Sequence, residues 1–214
     1  MFKNKPISLK ICGMRDSKNI LEVVSLHPEY MGFIFYEKSP RYVGSDFSIP
    51  TGFPKTIKRV GVFVNEQVEI VKAVSMKHQL DYVQLHGHES VAECNELKQA
   101  GIGVIKVFSM DAHFDFKTTI PFENCVDYFL FDTKGKFYGG NAATFDWSLL
   151  KSYNQRIPFF LSGGLSAENI SSITQLDQMN LHAIDVNSGV EISVGMKSVD
   201  KIKRVQNNLK ALAI

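Results

Sequence analysis

Eight short runs rich in β-branched and aromatic residues recur along the chain: ISLKIC, YMGFIF, IKRVGVFV, DYVQLH, GVIKVF, VDYFLFD, IPFFLS and HAIDVNS. They start at intervals of roughly 25 residues, the length of one strand, loop and helix. Between them lie stretches with apolar residues three or four apart. The last is the clearest, with Val199, Ile202, Val205, Leu209 and Leu212 forming one stripe among lysines and asparagines. Asn65 and Ser166 are positioned as N-caps of the helices that follow them, Asn169 standing three residues after Ser166 where a capping box has Glu or Gln. The segment from Asp111 to Asn124 has the least helical pattern. Eight strands alternating with helices suit either a closed (β/α)8 barrel or an open doubly wound sheet. The even unit length and the lack of a GxGxxG after the first strand favour a single (β/α)8 TIM barrel. It spans residues 1–214 as one domain, with no linker or low-complexity break.

The composition excludes several function classes. The net charge is +2 and the lysines and arginines are scattered, so no basic face is indicated and no nucleic acid is expected as a partner. No apolar run reaches the roughly 20 residues a bilayer requires, and MFKNKPISLK lacks the apolar core of a secretion signal. The expectation is a cytoplasmic protein with no membrane partner. Cys12, Cys94 and Cys125 are odd in number and widely spaced, which points to neither a disulfide framework nor a metal site.

Strand parity sorts the polar residues. Leu9 and Ile11 share one face of the first strand and Lys10 and Cys12 the other. With the apolar face against the helices, Lys10 and Cys12 point into the barrel, Cys12 at the C-terminal rim where active sites of this fold are built. The same test turns Gln84 and His86 inward on DYVQLHG, Asp132 inward on VDYFLFD and Asp185 inward on AIDVNSG. Lys10 is also a natural ion-pair partner for Asp185. Burying unpaired polar groups costs several kcal/mol, so their convergence at one end of one cavity marks them as candidate substrate contacts.

Two glycine turns follow the last two strands, LSGGLSAENI and VNSGVE. In barrels the loops at these places commonly bind phosphate through backbone N–H groups and a helix N-terminus, which nominates Gly163, Gly164, Ser188 and Gly189. EKSPRYV, after the second strand, sets Arg41 over the same rim, where its guanidinium can grip a carboxylate through paired hydrogen bonds.

Taken in order, KICGM, GFIFYEKSPRYV, VGVFVN, VQLHG, FDT, FDWSLL, LSGGLSAENI and DVNSGVE resemble the phosphoribosylanthranilate isomerase family of tryptophan biosynthesis, over residues 8 to 195. The resemblance implies a (β/α)8 enzyme that performs an Amadori rearrangement of an N-linked ribose phosphate to a 1-deoxyribulose phosphate. It implies Cys12 as general base, Asp132 as general acid and Arg41 as the holder of the anthranilate carboxylate. Phosphate falls to the glycine loops. The acid role requires Asp132 to keep its proton near neutral pH, and the base role a thiolate at Cys12, for which Lys10 is a candidate influence. No cofactor is required, the partner is a small sugar-phosphate substrate, and a monomer is expected.

Two places depart from the family pattern. Gly139-Gly140-Asn141-Ala142 has alanine where a glycine is usual, which puts loop closure in question, and Gly195-Met196-Lys197-Ser198 has serine where an aspartate is usual, although Ser198 can still cap. A related histidine-pathway isomerase is disfavoured, because that family carries aspartate at the first-strand position. A sugar-phosphate-binding barrel without catalysis is the non-enzymatic alternative.

Overall fold

In a computed structural model that describes residues 6–133 and 144–212, eight parallel strands close into a barrel in sequence order. They are β1 (Ser8–Ile11), β2 (Tyr30–Ile34), β3 (Lys58–Phe63), β4 (Tyr82–Leu85), β5 (Gly103–Met110), β6 (Tyr128–Thr133), β7 (Phe159–Leu161) and β8 (Leu181–Val186). Each of the eight apolar runs supplies one strand. β1 closes on β8, with Lys10 aligned to Asp185 and Ile11 to Val186. The departure at residues 139–142 lies outside the described residues.

The crossovers are less helical than the sequence spacing suggests. Among the described residues, α-helices follow β1, β3, β4 and β8: α1 (Ser17–Val24), α2 (Val68–His78), α3 (Val91–Gln99) and α4 (Val199–Leu212). Short 3-10 segments, Phe116–Phe122, Trp147–Ser152 and Ile170–Leu176, stand after β5, β6 and β7. No helix joins β2 to β3, because Pro40, Pro50 and Pro54 interrupt that segment and a proline inside a helix removes a bond and clashes with the preceding turn. A hairpin of β9 (Glu191–Ser193) and β10 (Met196–Lys197) separates β8 from α4.

The expected caps divide. Asn65 does not cap α2, whose N-cap is Gln67 with no side-chain bond. Asn65 instead adopts a left-handed backbone (φ 51°), which asparagine tolerates, and its Oδ1 accepts from His88 N at 2.6 Å, tying the β3 loop to the β4 loop. Ser166 does begin a turn reciprocally. Its Oγ accepts from Glu168 N and Asn169 Oδ1 accepts from Ser166 N, so asparagine fills the place of the usual Glu, ahead of a 3-10 segment in place of an α-helix. At α4, Ser198 Oγ accepts from Lys201 N, and Ile202, Val205 and Leu209 of the apolar stripe are buried.

Parity divides the core as the sequence indicates. Outward residues such as Leu9, Phe33, Leu85, Phe129, Phe131 and Ile184 pack beneath the crossovers, and Val60, Ile105, Val107, Leu130 and Phe160 fill the barrel interior. The floor is aromatic. Tyr30, Tyr82 and Tyr128 come from β2, β4 and β6, and His182 from β8 completes a ring contributed by alternate strands. A register irregularity between β7 and β8 lies beside His182, whose ring stacks on Tyr128 at 4.4 Å and whose Nε2 is 2.7 Å from the Tyr30 hydroxyl. Polar groups therefore concentrate at the other end.

Phe131 is fully buried with five aromatic rings around it, Phe108, Phe116, Phe129, Tyr153 and Phe159. Phe131→Ala should lower stability by about 3–5 kcal/mol, the cost of a large-to-small change in a core that cannot collapse. Urea denaturation followed by tyrosine and tryptophan fluorescence measures it, and a loss under 1 kcal/mol would contradict this packing.

Candidate active site

The strands end in a cavity of about 590 Å³, counted with its open mouth, within the usual range for small-molecule sites. Its lining includes Cys12 just past β1, Gln84 from β4 and His86 just past it, Asp132 from β6 and Asp185 from β8, which brings together all five inward groups named from parity at the rim. Gly163, Gly164, Ser188 and Gly189 line the same cavity. Ile34, Val62 and Val64 form an apolar wall opposite.

Lys10 lies one pleat below Cys12 and is completely buried. Its Nζ donates to Gln84 Oε1 at 2.8 Å and sits 3.0 Å from Asp185 Oδ1. Burial alone would lower the lysine, but Asp185 and Cys12 outweigh it and hold Lys10 above its ordinary value. Burial also pushes Asp185 up against the pull of Lys10. These tendencies conflict over one shared proton, and the short contact at the strand register favours the ionised pair. Among the described residues, buried Asp185 Oδ1 meets no donor other than Lys10.

Cys12 is 4% exposed, and burial pushes its thiol up. Lys10 pulls the other way, Asp185 adds to the rise, and Lys197 lowers it. The cation beside Cys12 is thus largely answered by its own partner. Asp132 Oδ1 accepts from Thr133 N at 3.0 Å, and Oδ2 lies 3.4 Å from His86 Nε2.

The glycines of the two late loops are there for close approach. Gly163 has φ +94°, and a Cβ on it would run into Thr133; one on Gly189 would run into the carbonyl of Leu165. Among the described residues, no acceptor takes the backbone N–H of Gly163, Gly164, Ser188 or Gly189. The segments after these loops are 3-10 turns, so any anion here is met by individual N–H groups, with no long helix dipole behind them.

Arg41 differs from its expectation. It is buried behind Cys12 and does not line the cavity, and its paired hydrogen bonds run to the protein's own Glu191, Nε to Oε1 at 2.8 Å and Nη2 to Oε2 at 2.7 Å. Only Nη1 lies outside that fork.

Several residues of the site were not read from sequence. Asn187, Ser162 and Tyr36 line the cavity, and Glu191 and Lys197 form the charged layer behind it. Lys106 and Glu89 make a second buried pair at 2.7 Å. Lys106 also donates to Gly87 O, and Glu89 accepts from Gly87 N, which fixes the loop carrying His86. A charged residue inside an apolar run was the available signal for Lys106, as it was for Lys10.

Comparisons with known proteins agree with this fold. Residues 9–208 match the family described as N-(5'-phosphoribosyl)anthranilate (PRA) isomerase. The N-(5'-phosphoribosyl)anthranilate isomerase of Parabacteroides distasonis is 42% identical over 91% of this chain and 90% of its own length. The crystal structure of phosphoribosyl anthranilate isomerase from Thermotoga maritima superposes with a TM-score of 0.83 at 35% identity, covering 96% of this chain and 99% of that one. A further structure, TM-score 0.79 and 33% identical over 96% and 99% of the two chains, is a phosphoribosyl anthranilate isomerase in complex with reduced 1-(o-carboxyphenylamino)-1-deoxyribulose 5-phosphate.

Removing one partner of a buried pair strands the other. Lys10→Met should destabilise the protein by about 3–5 kcal/mol, and adding Asp185→Asn should recover part of the loss, as the double-mutant cycle of urea midpoints will report. Additive losses would refute the pairing.

Proposed function

The chain belongs to the N-(5'-phosphoribosyl)anthranilate isomerase family, and on that premise we infer that Cys12 and Asp132 are the base and acid of its reaction. The enzyme is an isomerase of tryptophan biosynthesis that converts an aldose to a ketose. The observation that carries the assignment is the meeting in one cavity of a thiol at the end of β1, a carboxyl from β6 and two glycine loops whose N–H groups no described residue takes.

In this reading the substrate phosphate lies against the N–H groups of Gly163, Gly164, Ser188 and Gly189. Asp132 gives its proton to the ring oxygen as the C1–O bond breaks, and the nitrogen lone pair forms the C1=N bond of a protonated Schiff base. Cys12, as thiolate, then takes the C2 proton, and the C–H electrons form the C1=C2 bond while the nitrogen recovers its pair. Tautomerisation of the resulting enolamine delivers the ketone. His86 steadies the Asp132 carboxyl from 3.4 Å, and Asp185 and Gln84, on the cavity lining, serve as contacts for ribose hydroxyls. Arg41 keeps Nη1 for the substrate carboxylate, which must reach past the cavity lining to meet it, since Glu191 occupies its other edge. Every one of these groups comes from a single chain, which supports a monomer as a sufficient unit, and the reading places it in the cytoplasm with the sugar phosphate as its only required partner.

Because burial raises the thiol, kcat at saturating substrate should climb with pH into the alkaline range as Cys12 ionises. With N-(5'-phosphoribosyl)anthranilate generated in situ and its fluorescence decay followed, Cys12→Ser and Asp132→Asn should each lower kcat/KM by at least about 10²-fold. Both variants should still bind the reduced product analogue. Wild-type protein that binds the analogue but does not accelerate the decay would replace this reading with a non-catalytic sugar-phosphate binder.

A further inference from the structure

Behind the cavity, β10 buries a lysine that the acid–base chemistry does not use. Lys197 is 1% exposed, and its Nζ donates to Asn187 Oδ1 at 2.6 Å, to Asn187 O at 3.2 Å and to Glu191 Oε1 at 2.8 Å. Glu191 in turn holds the fork of Arg41, so two cations share one carboxylate and the cluster carries one net positive charge. Asn187 lines the cavity immediately before Ser188 and Gly189, and both Asn187 Oδ1 and Arg41 Cδ lie within 3 Å of where a Cβ on Gly13 would stand. The cluster is therefore wedged between the end of β1 and the loop after β8.

An ammonium group has only donors, so it dictates which end of the Asn187 amide it faces. The carbonyl end must turn to Lys197, leaving Nδ2 as a donor that no described residue accepts from. We propose that Lys197 is a positioning residue for the substrate phosphate: its ammonium fixes the Asn187 amide with Nδ2 toward the cavity and so adds a side-chain donor to the backbone N–H groups of Ser188 and Gly189. The proposal rests on the reading of this cavity as a sugar-phosphate site. Deprotonated, the lysine nitrogen can accept as well as donate, the amide loses its fixed orientation, and the phosphate loses both a donor and the net charge behind it.

The groups facing Lys197 are Glu191 on β9, Arg41 from the β2 loop and Cys12 at the end of β1; on the α1 side the neutral Asn19 bonds its backbone, with Glu22 beyond. Burial outweighs the carboxylate, and Lys197 is brought down to about 8. Since the free protein loses this proton within reach of neutral pH, ligand affinity should fall as pH rises through that value.

The test measures the Kd of reduced 1-(o-carboxyphenylamino)-1-deoxyribulose 5-phosphate by calorimetry from pH 6.5 to 9.5, for wild type, Lys197→Arg, Lys197→Met, Asn187→Ala and the double variant Lys197→Met/Asn187→Ala. Binding by wild type at pH 7 tests the reading of the cavity, and its absence would overturn that reading. If the ligand binds, wild type should weaken above about pH 8, and Lys197→Arg, which keeps its charge, should bind at pH 7 and stay level to pH 9.5. Lys197→Met and Asn187→Ala should each lose about 10-fold, the scale of one charge-assisted hydrogen bond, and the double variant should lose no more than either. An alkaline weakening that persists in Lys197→Arg, or losses that add in the double variant, would overturn the proposal. Should Lys197→Met fail to fold, the Lys197→Arg profile decides alone.

Discussion

Lys10 and Asp185 meet across the seam where β1 closes on β8, and much else is arranged around that contact. A lysine at the centre of a barrel is tolerable only with its charge answered, and here it is answered by a carboxylate at the same level of the neighbouring strand and by the Gln84 amide from across the interior. The pair opposes itself at Cys12, Lys10 lowering the thiol and Asp185 raising it. Burial then dominates the thiol and raises it, with Lys10 the first cation to oppose that rise and Lys197 of the outer cluster the second.

The barrel is polarised along its axis. Its floor is built of Tyr30, Tyr82, Tyr128 and His182, rings that fill volume and hydrogen-bond to one another, and its upper end carries a thiol, carboxyls, an imidazole and loops of exposed N–H groups. Strand alternation alone distinguishes inside from outside. What distinguishes top from bottom is position along the strand: aromatic residues enter each even-numbered strand early, and polar ones leave β4, β6 and β8 late.

This is why strand parity read so much of the site from sequence. Cys12, Gln84, His86, Asp132 and Asp185 each sit in a short strand whose apolar partners fix which way they turn. The glycine loops were legible because they follow the last two strands directly. The occupation of Arg41 was not, since it depends on Glu191 arriving from a hairpin 150 residues away along the chain. Lys197 was hidden for the same reason: in sequence it is one lysine among many near the C-terminus, and only the β9–β10 hairpin buries it. Helices were over-read where prolines broke the crossover after β2, and Asn65 looked like a cap because its left-handed backbone cannot be seen in composition.

The aromatic floor has a consequence for traffic. With Tyr30, Tyr128 and Phe160 packed edge to face beneath the interior and Lys10 locked above them, the described residues close the barrel at its base and leave it open at the rim. Whatever enters must leave by the same opening, so a finished molecule bars the next until it departs, and the loops around that mouth govern both journeys.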